Sequence, residues 1–344
     1  MMVDTKGFHV PAKLNATIPA EKRGTTRDRV RLMVMNGTGS ITHDSFLQLS
    51  SYLKEGDLLV MNNSRTLPAA LKGMHGNREV EIRLSRRISE KEWDVLVVDS
   101  SFKVGDTIDF KDGISATISD FGSEEPLVRL LFSVGGVRLT NMIYKYGEPI
   151  RYEYIDQPWS LDTYQTVYAA APGSVEMTSA GRAITWRLLN QLKSKGINLA
   201  FLQLHAGLSY YGNDHWPTPS KHPEKYVISE ETANLVNDTH RKGGRVIAVG
   251  TTVVRALESA TDLSGRVSAK EGVTDLYIQS GYHLKVVDGL LTGFHEPEAS
   301  HLDLLTAFVN YDVLMSCYQE AIAYEYLWHE FGDMNLILPE VRLQ

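Results

Sequence analysis

The chain has 344 residues, enough for one large or two ordinary domains, and its 43% hydrophobic and 22% charged content excludes a disordered protein. One cysteine, Cys317, excludes an internal disulfide and a multi-cysteine zinc site, and it reads as core packing rather than a nucleophile. The net charge of −7 argues against a large nucleic-acid footprint, although a local basic face remains compatible with it.

The opening MMVDTKGFHVPAKL has no apolar h-region, and no later run approaches the ~20 apolar residues of a membrane helix, so the chain reads as cytoplasmic. HDSFLQLSSYLKEGD (43–57) places Phe46, Leu49 and Leu53 at helical spacing before Gly56, which predicts a short helix. DLLVMNN (57–63) reads as a buried strand. From about residue 70, EVEIRLSRR, WDVLVVD, KVGDTIDF, ISATISD and LVRLLF are short β-type runs broken by Gly, Asp, Asn and Ser. They predict a small all-β barrel, followed by a helix in GGVRLTNMIYKYG (135–147).

After residue 160 strands and helices alternate. A helix over 182–195 precedes the strand INLAFLQLHAG, a helix from near Ser229, the strand RVIAVG and a helix from Thr252. The strands DLYIQS and LLTGFH and two helices over 299–325 follow. Near-continuous apolar strands covered by helices predict an α/β fold, a helix-covered mixed sheet with an inserted β-barrel. The expected boundaries are 1–68 with 148–344 for the α/β domain and 69–147 for the barrel.

The junction in RVIAVGTTVVRALES (245–259) is the most informative. A buried strand stops at Gly250 and passes through Thr251 and Thr252 straight into a helix. Ligands of open α/β sheets bind beyond the carboxyl ends of strands, against helix N-termini. Gly250 permits a tight turn, either threonine can cap the helix, and free N–H groups favour a carboxylate or phosphate. A tight turn with a good cap and no ligand is an equally economical reading. Two more strand ends strengthen the functional one: LQLHAG delivers His205, and LLTGFHEPEAS delivers Phe294 and His295 before Pro297, with Ser300 placed to cap the next helix. Histidine is the usual proton-transfer group near neutral pH.

Weaker candidates are His222 and Glu224 in KHPEKY, on a loop that could form a lid, and Ser179 and Gly181 in TSAGR, before a helix. Arg83, Arg86 and Arg87 form a basic edge of one barrel strand that could meet phosphates or simply be solvated. The sequence holds no metal-ligand spacing, Walker loop or GxGxxG.

GDLLVMNNSRTLPA (56–69), YQTVYA (164–169), RVIAVGTTVVRALES, GYHLKVVDGLLTGFH (281–295) and GDMNLIL (332–338) occur in one order. With these segments the chain resembles the S-adenosylmethionine:tRNA ribosyltransferase-isomerases of queuosine biosynthesis (the QueA family), as a divergent member, nearly end to end. The resemblance implies an α/β domain with an inserted barrel. It also implies transfer of the ribosyl part of S-adenosylmethionine to 7-aminomethyl-7-deazaguanine in tRNA, with isomerisation to epoxyqueuosine and release of adenine and methionine. S-adenosylmethionine is then a co-substrate, no metal is needed, tRNA is the macromolecular partner, and no protein or membrane partner is implied. His205, His295 and Glu224 become the catalytic candidates. Gly250, Thr251, Thr252, Arg255, Ser179, Gly181 and Phe294 form the cofactor-binding set, with Arg255 reaching an anion or pairing with Glu258. His222, Tyr154, Arg83, Arg86 and Arg87 face the tRNA.

Several segments depart from the family pattern. TSAGRAI has Ala183 where the family carries histidine, RYEYI keeps only Tyr154 and Ile155 of Leu-Pro-Pro-Tyr-Ile, and Ser209, Tyr210 and Tyr211 replace Gly-Thr-Phe. GFHEP stands for Asn-Phe-His-Leu-Pro, and Leu327 and Ala70 occupy arginine positions. Besides the tRNA enzyme, the sequence therefore leaves open a paralogue acting on another, small-molecule acceptor, or an inactive binding protein.

Overall fold

The computed structural model describes residues 8–98, 102–212 and 215–338. The first strands are β1 (Arg31–Asn36), β2 (Ile41–Ser45), β3 (Leu58–Asn62) and β4 (Ser64–Thr66). Six strands follow: β5 (Ala70–His75), β6 (Arg78–Arg87), β7 (Glu92–Val97), β8 (Thr107–Asp109), β9 (Ser115–Phe121) and β10 (Val128–Phe132), with helix α1 (Gly136–Tyr146) behind them. Strand β11 (Ala171–Ser174), helix α2 (Trp186–Ser194), β12 (Asn198–Leu204), β13 (Glu224–Ile228), α3 (Glu230–Arg241) and β14 (Val246–Val249) come next. Helix α4 (Thr251–Ser259), β15 (Lys270–Thr274), β16 (Gly289–Thr292), α5 (Ser300–Leu305), α6 (Tyr311–Ala323) and β17 (Met334–Leu338) complete the described residues.

Nine strands form a mixed sheet in the order β15-β13-β12-β3-β14-β16-β17-β1-β2. Its centre, β12-β3-β14-β16, is parallel; β13 runs against β12 and β15, while β17 runs against β16 and parallel to β1. The central strands are apolar at successive positions because both faces are covered. Val60, Ala248 and Leu290 pack beneath α3 to α6, whereas Leu59, Ile247 and Leu291 pack beneath α2 and the 46–51 turn. That period-two division between two cores follows from the pleat.

β5 to β10 close into a six-stranded barrel around Ile82, Leu84, Val95, Ile108 and Leu130. Gly73 has no substitute there, since a Cβ would stand 2.5 Å from Ile108 Cγ2. β4 and β11 pair in parallel where the chain leaves for the barrel and where it returns. The barrel lies against the carboxyl edge of the large sheet, where Ser85 O would sit 3.2 Å from a Cβ on Gly207. The expected fold class is thus the observed one.

Local differences have identifiable causes. Residues 41–45 are a strand pairing with β1, so the expected helix over 43–57 shrinks to a 3₁₀ turn, Phe46–Ser51, that still buries Phe46 and Leu49. DLYIQS is not a strand; the edge strand is Lys270–Thr274, largely exposed yet paired with β13. The helix over 182–195 begins only at Trp186, where the Thr185 hydroxyl accepts the Leu188 amide. Residues 1–7 of the opening segment and residue 99 of WDVLVVD lie outside the described residues. Cys317 is buried on α6, as its type suggests, and burial pushes its thiol up to about 11. No helix among the described residues is long and apolar enough to cross a membrane.

Candidate functional site

Three parallel strands, β12, β14 and β16, end on one edge of the sheet. β13 and β17 run the other way, so the residues preceding them, including His329 and Glu330, arrive at the same edge. Between this edge and the barrel lies a cavity of about 880 Å3, in the upper part of the ~300–1,000 Å3 range of small-ligand sites.

Asn62 fixes two of the strand ends. Its Nδ2 donates to Leu204 O at 2.8 Å, and its Oδ1 accepts from the Leu204 amide at 3.1 Å and the Ser64 amide at 3.0 Å. At the β14–α4 junction the N-cap is Gly250 itself, not a threonine hydroxyl, and the helix starts at Thr251. Gly250 adopts φ +91° and ψ 152°, and its carbonyl takes the Val253 and Val254 amides. No described residue accepts from the Thr251 and Thr252 amides, and both residues line the cavity. The positive end of α4 is therefore presented to a ligand.

His295 lies three residues past β16. Its Nε2 bonds Thr292 Oγ1 at 2.8 Å, its ring stacks on His301 at 5.2 Å, and both imidazoles line the cavity. Burial first, then the neighbouring His301 and His329, hold the His295 pKa well below its ordinary value. Burial likewise takes His301 and His329 down to about 4. All three rings are neutral near pH 7 and can accept a proton.

The rest of the wall is acidic. Glu153, Glu176, Glu224, Glu296, Glu298 and Glu330 line the cavity, and the Lys/Arg side chain lining it among the described residues is Arg255. Arg255 does not pair with Glu258, one of its two expected roles; it binds Glu224 and the Leu276 carbonyl. Glu258 instead is buried and accepts amides of Lys285, Val286 and Val287. The other Glu224 oxygen accepts the Gly207 amide at 3.3 Å. Burial raises Glu176 to about 8 and, with Glu298 and Glu330, raises Glu296 to about 6. Such a lining favours a ligand carrying positive charge.

Other expected site residues separate into groups. Ser179 and Phe294 line the cavity, but Gly181 stands behind it, where a Cβ would meet the Tyr168 hydroxyl. His205 is also absent from the lining: its Nδ1 binds Ser64 Oγ at 2.7 Å, and its ring packs against Gly173. Ser300 is the first residue of α5, whose N-cap is Ala299 without a side-chain bond. His222 and Glu224 line the cavity, yet not as a free lid. Glu224 opens β13, while buried His222 binds Tyr211 and, at 3.1 Å, Glu124 of the barrel. Tyr154 stacks on His329 at 4.0 Å and donates to Glu330. Arg83 pairs with Glu81, Arg86 with buried Asp94, and Arg87 is exposed; none of the three lines the cavity.

Fold and site together define an enzyme of the mixed α/β class, with its ligand cavity between sheet edge and inserted barrel. The queuosine biosynthesis protein family model matches residues 3–337, and the chain belongs to that family. It is similar to a crystal structure of S-adenosylmethionine tRNA ribosyltransferase from Thermotoga maritima. That match is 30% identical, spans 97% of this chain and 100% of the other, and has a TM-score of 0.55.

Reading of the sequence missed Glu176, His301, His329 and Glu330. Glu176 carries a local signal, an acidic residue two places before the TSAGR turn. His329 and Glu330 offered one too, since they stand just ahead of the apolar segment GDMNLIL.

Proposed function

We propose that the cavity binds S-adenosylmethionine and that the chain transfers and isomerises its ribosyl part onto 7-aminomethyl-7-deazaguanine in tRNA, giving epoxyqueuosine. When bound, the sulfonium acidifies the adjacent ribose carbon and makes methionine a leaving group, alongside adenine. The Thr251 and Thr252 amides suit its carboxylate, and the carboxylate side of the cavity, Glu296 foremost, suits its positive charge. Neutral His295 is the proton acceptor, with its Nδ1 free of described partners and its Nε2 held by Thr292. Glu224 orients Arg255 and the Gly207 backbone. His205 serves through Ser64 and the wall behind the cavity. The observation that carries this reading is the pairing, in one cavity, of an unpartnered helix N-terminus with an acidic wall.

The test incubates the protein with labelled S-adenosylmethionine and tRNA bearing the aminomethyl base. The expected result is adenine release together with modified tRNA. Ala183, Ala70 and Leu327, standing where the family carries histidine and arginines, favour two alternatives, a paralogue with a different acceptor and an inactive binding protein. Adenine release without tRNA modification would assign the paralogue. Absence of S-adenosylmethionine binding in calorimetry would leave an inactive binding protein.

A further inference from the structure

Part of the cavity wall is built from the segments in which this chain leaves the family pattern. Tyr152 comes from RYEYI, Ser209 and Tyr210 from the loop after β12, and Glu176 from the turn before TSAGR. All four line the cavity. Glu176 Oε1 accepts the Ser209 amide at 2.7 Å and the Tyr152 hydroxyl. Tyr152 lies 6.2 Å from Tyr154 in a stacked arrangement and 6.0 Å from Tyr210, which in turn meets Trp216 at 4.9 Å. The result is a carboxyl group bonded to one ring of an aromatic cluster that lines the cavity.

A buried carboxyl group ordinarily finds a basic partner or keeps its proton. Among the described residues Glu176 forms no ion pair, and the carboxylates of Glu330 and Glu224 act on it. The Tyr152 hydroxyl and the Ser209 amide both bond Oε1, the Ser209 side chain also bonds the carboxyl group, and Glu176 still lines the cavity. The aromatic rings that line the cavity with it suit a flat heterocycle, and they also stabilise a cation held near them. We propose that Glu176, positioned by Tyr152 and Ser209, receives the primary ammonium group of the acceptor base and thereby sets acceptor choice. This inference rests on the proposed reaction only in taking an aminated deazaguanine as the acceptor. The ammonium, whose pKa is near that of lysine at ~10, arrives charged, and Glu176 then releases its proton to solvent and binds as the carboxylate.

Calorimetric titration of the full chain with the free bases 7-aminomethyl-7-deazaguanine and 7-methyl-7-deazaguanine isolates the amine. The wild type is expected to prefer the aminated base by at least about tenfold, the size of a charge-assisted hydrogen bond. Glu176→Gln should abolish that preference. Tyr152→Phe, which removes one hydroxyl, should reduce the preference severalfold and decides the matter if Glu176→Gln does not fold. A folded Glu176→Gln that keeps the preference, or a wild type that binds both bases equally or neither, overturns the inference. Missing adenine release with the amine preference intact would sink ribosyl transfer but not this assignment. Intact adenine release without the preference would do the reverse.

Discussion

Gly250 holds a backbone geometry, φ +91° with ψ 152°, that is almost confined to glycine. A Cβ there would also come within 3.3 Å of Ala180 Cβ. Gly250→Ala should therefore cost about 1–3 kcal/mol, read as a lower denaturation midpoint, and weaken S-adenosylmethionine binding by disturbing the Thr251 and Thr252 amides. Unchanged stability and affinity would show that the turn is not constrained. At His295, Gln preserves volume and a bond to Thr292 but removes the basic nitrogen. His295→Gln should lower turnover by about 10²–10⁴-fold, the usual contribution of a general base, with cofactor affinity little changed; retained turnover would move the proton acceptor to His301 or His329. Gly250 was legible because glycine followed by two hydroxyl residues at a strand end has a local physical meaning. Glu176 was harder, since an acidic residue before a turn says nothing of partners that stand 24 and 33 residues away in segments without periodicity.

At the scale of elements, side chains that close strand ends matter as much as strand interiors. Asn62 ties β3 to β12, and Asn62→Ala would leave the Leu204 and Ser64 backbone groups short of partners. About 2 kcal/mol of stability should be lost, seen as a shifted urea midpoint at constant slope; no shift would mean that water replaces the amide. The buried central strands were readable from their apolar runs because both faces are covered. The edges were harder. β15 offers only KEGVT, a sequence that pairs with β13 through its backbone and buries little, whereas the more apolar DLYIQS passes by as an irregular segment. In residues 43–57 helical spacing and strand pairing competed, and pairing with β1 took the first three residues.

For the molecule as a whole, pH and salt are informative. Folding holds Glu176 at about 8 instead of its ordinary 4.5, so the folded state keeps a proton that the unfolded chain loses between those values. Stability from this group is complete below about pH 4.5 and is lost as pH rises towards 8. His301 and His329, held at about 4 against an ordinary 6.5, act oppositely and lose their contribution as pH falls from 6.5 to 4. The melting temperature should accordingly rise from pH 8.5 to about 6.5 and fall below it. Glu176→Gln should flatten the upper limb, and an unaltered limb would place the titration elsewhere. For tRNA, Arg86 is a poor probe because it neutralises buried Asp94 together with Arg129. Arg83 and Arg87 changed jointly to Ala test the barrel cleanly. The slope of log affinity against log salt should become shallower by about 1 for each phosphate no longer neutralised, and an unchanged slope would remove the barrel edge from the footprint.

The register of β1 against β17 has its own consequence. Leu32 lies opposite Met334 and Asn36 opposite Leu338, partners 302 residues apart in the sequence. On a ribosome, β1 and β2 emerge early as a lone hairpin with one flank bare, while the barrel, whose strands are all contiguous, can close first. That flank is covered only once β17 has been made, so molecules shortened just ahead of residue 334 should be trapped by chaperones or aggregate, even though nearly every cavity residue is already present in them.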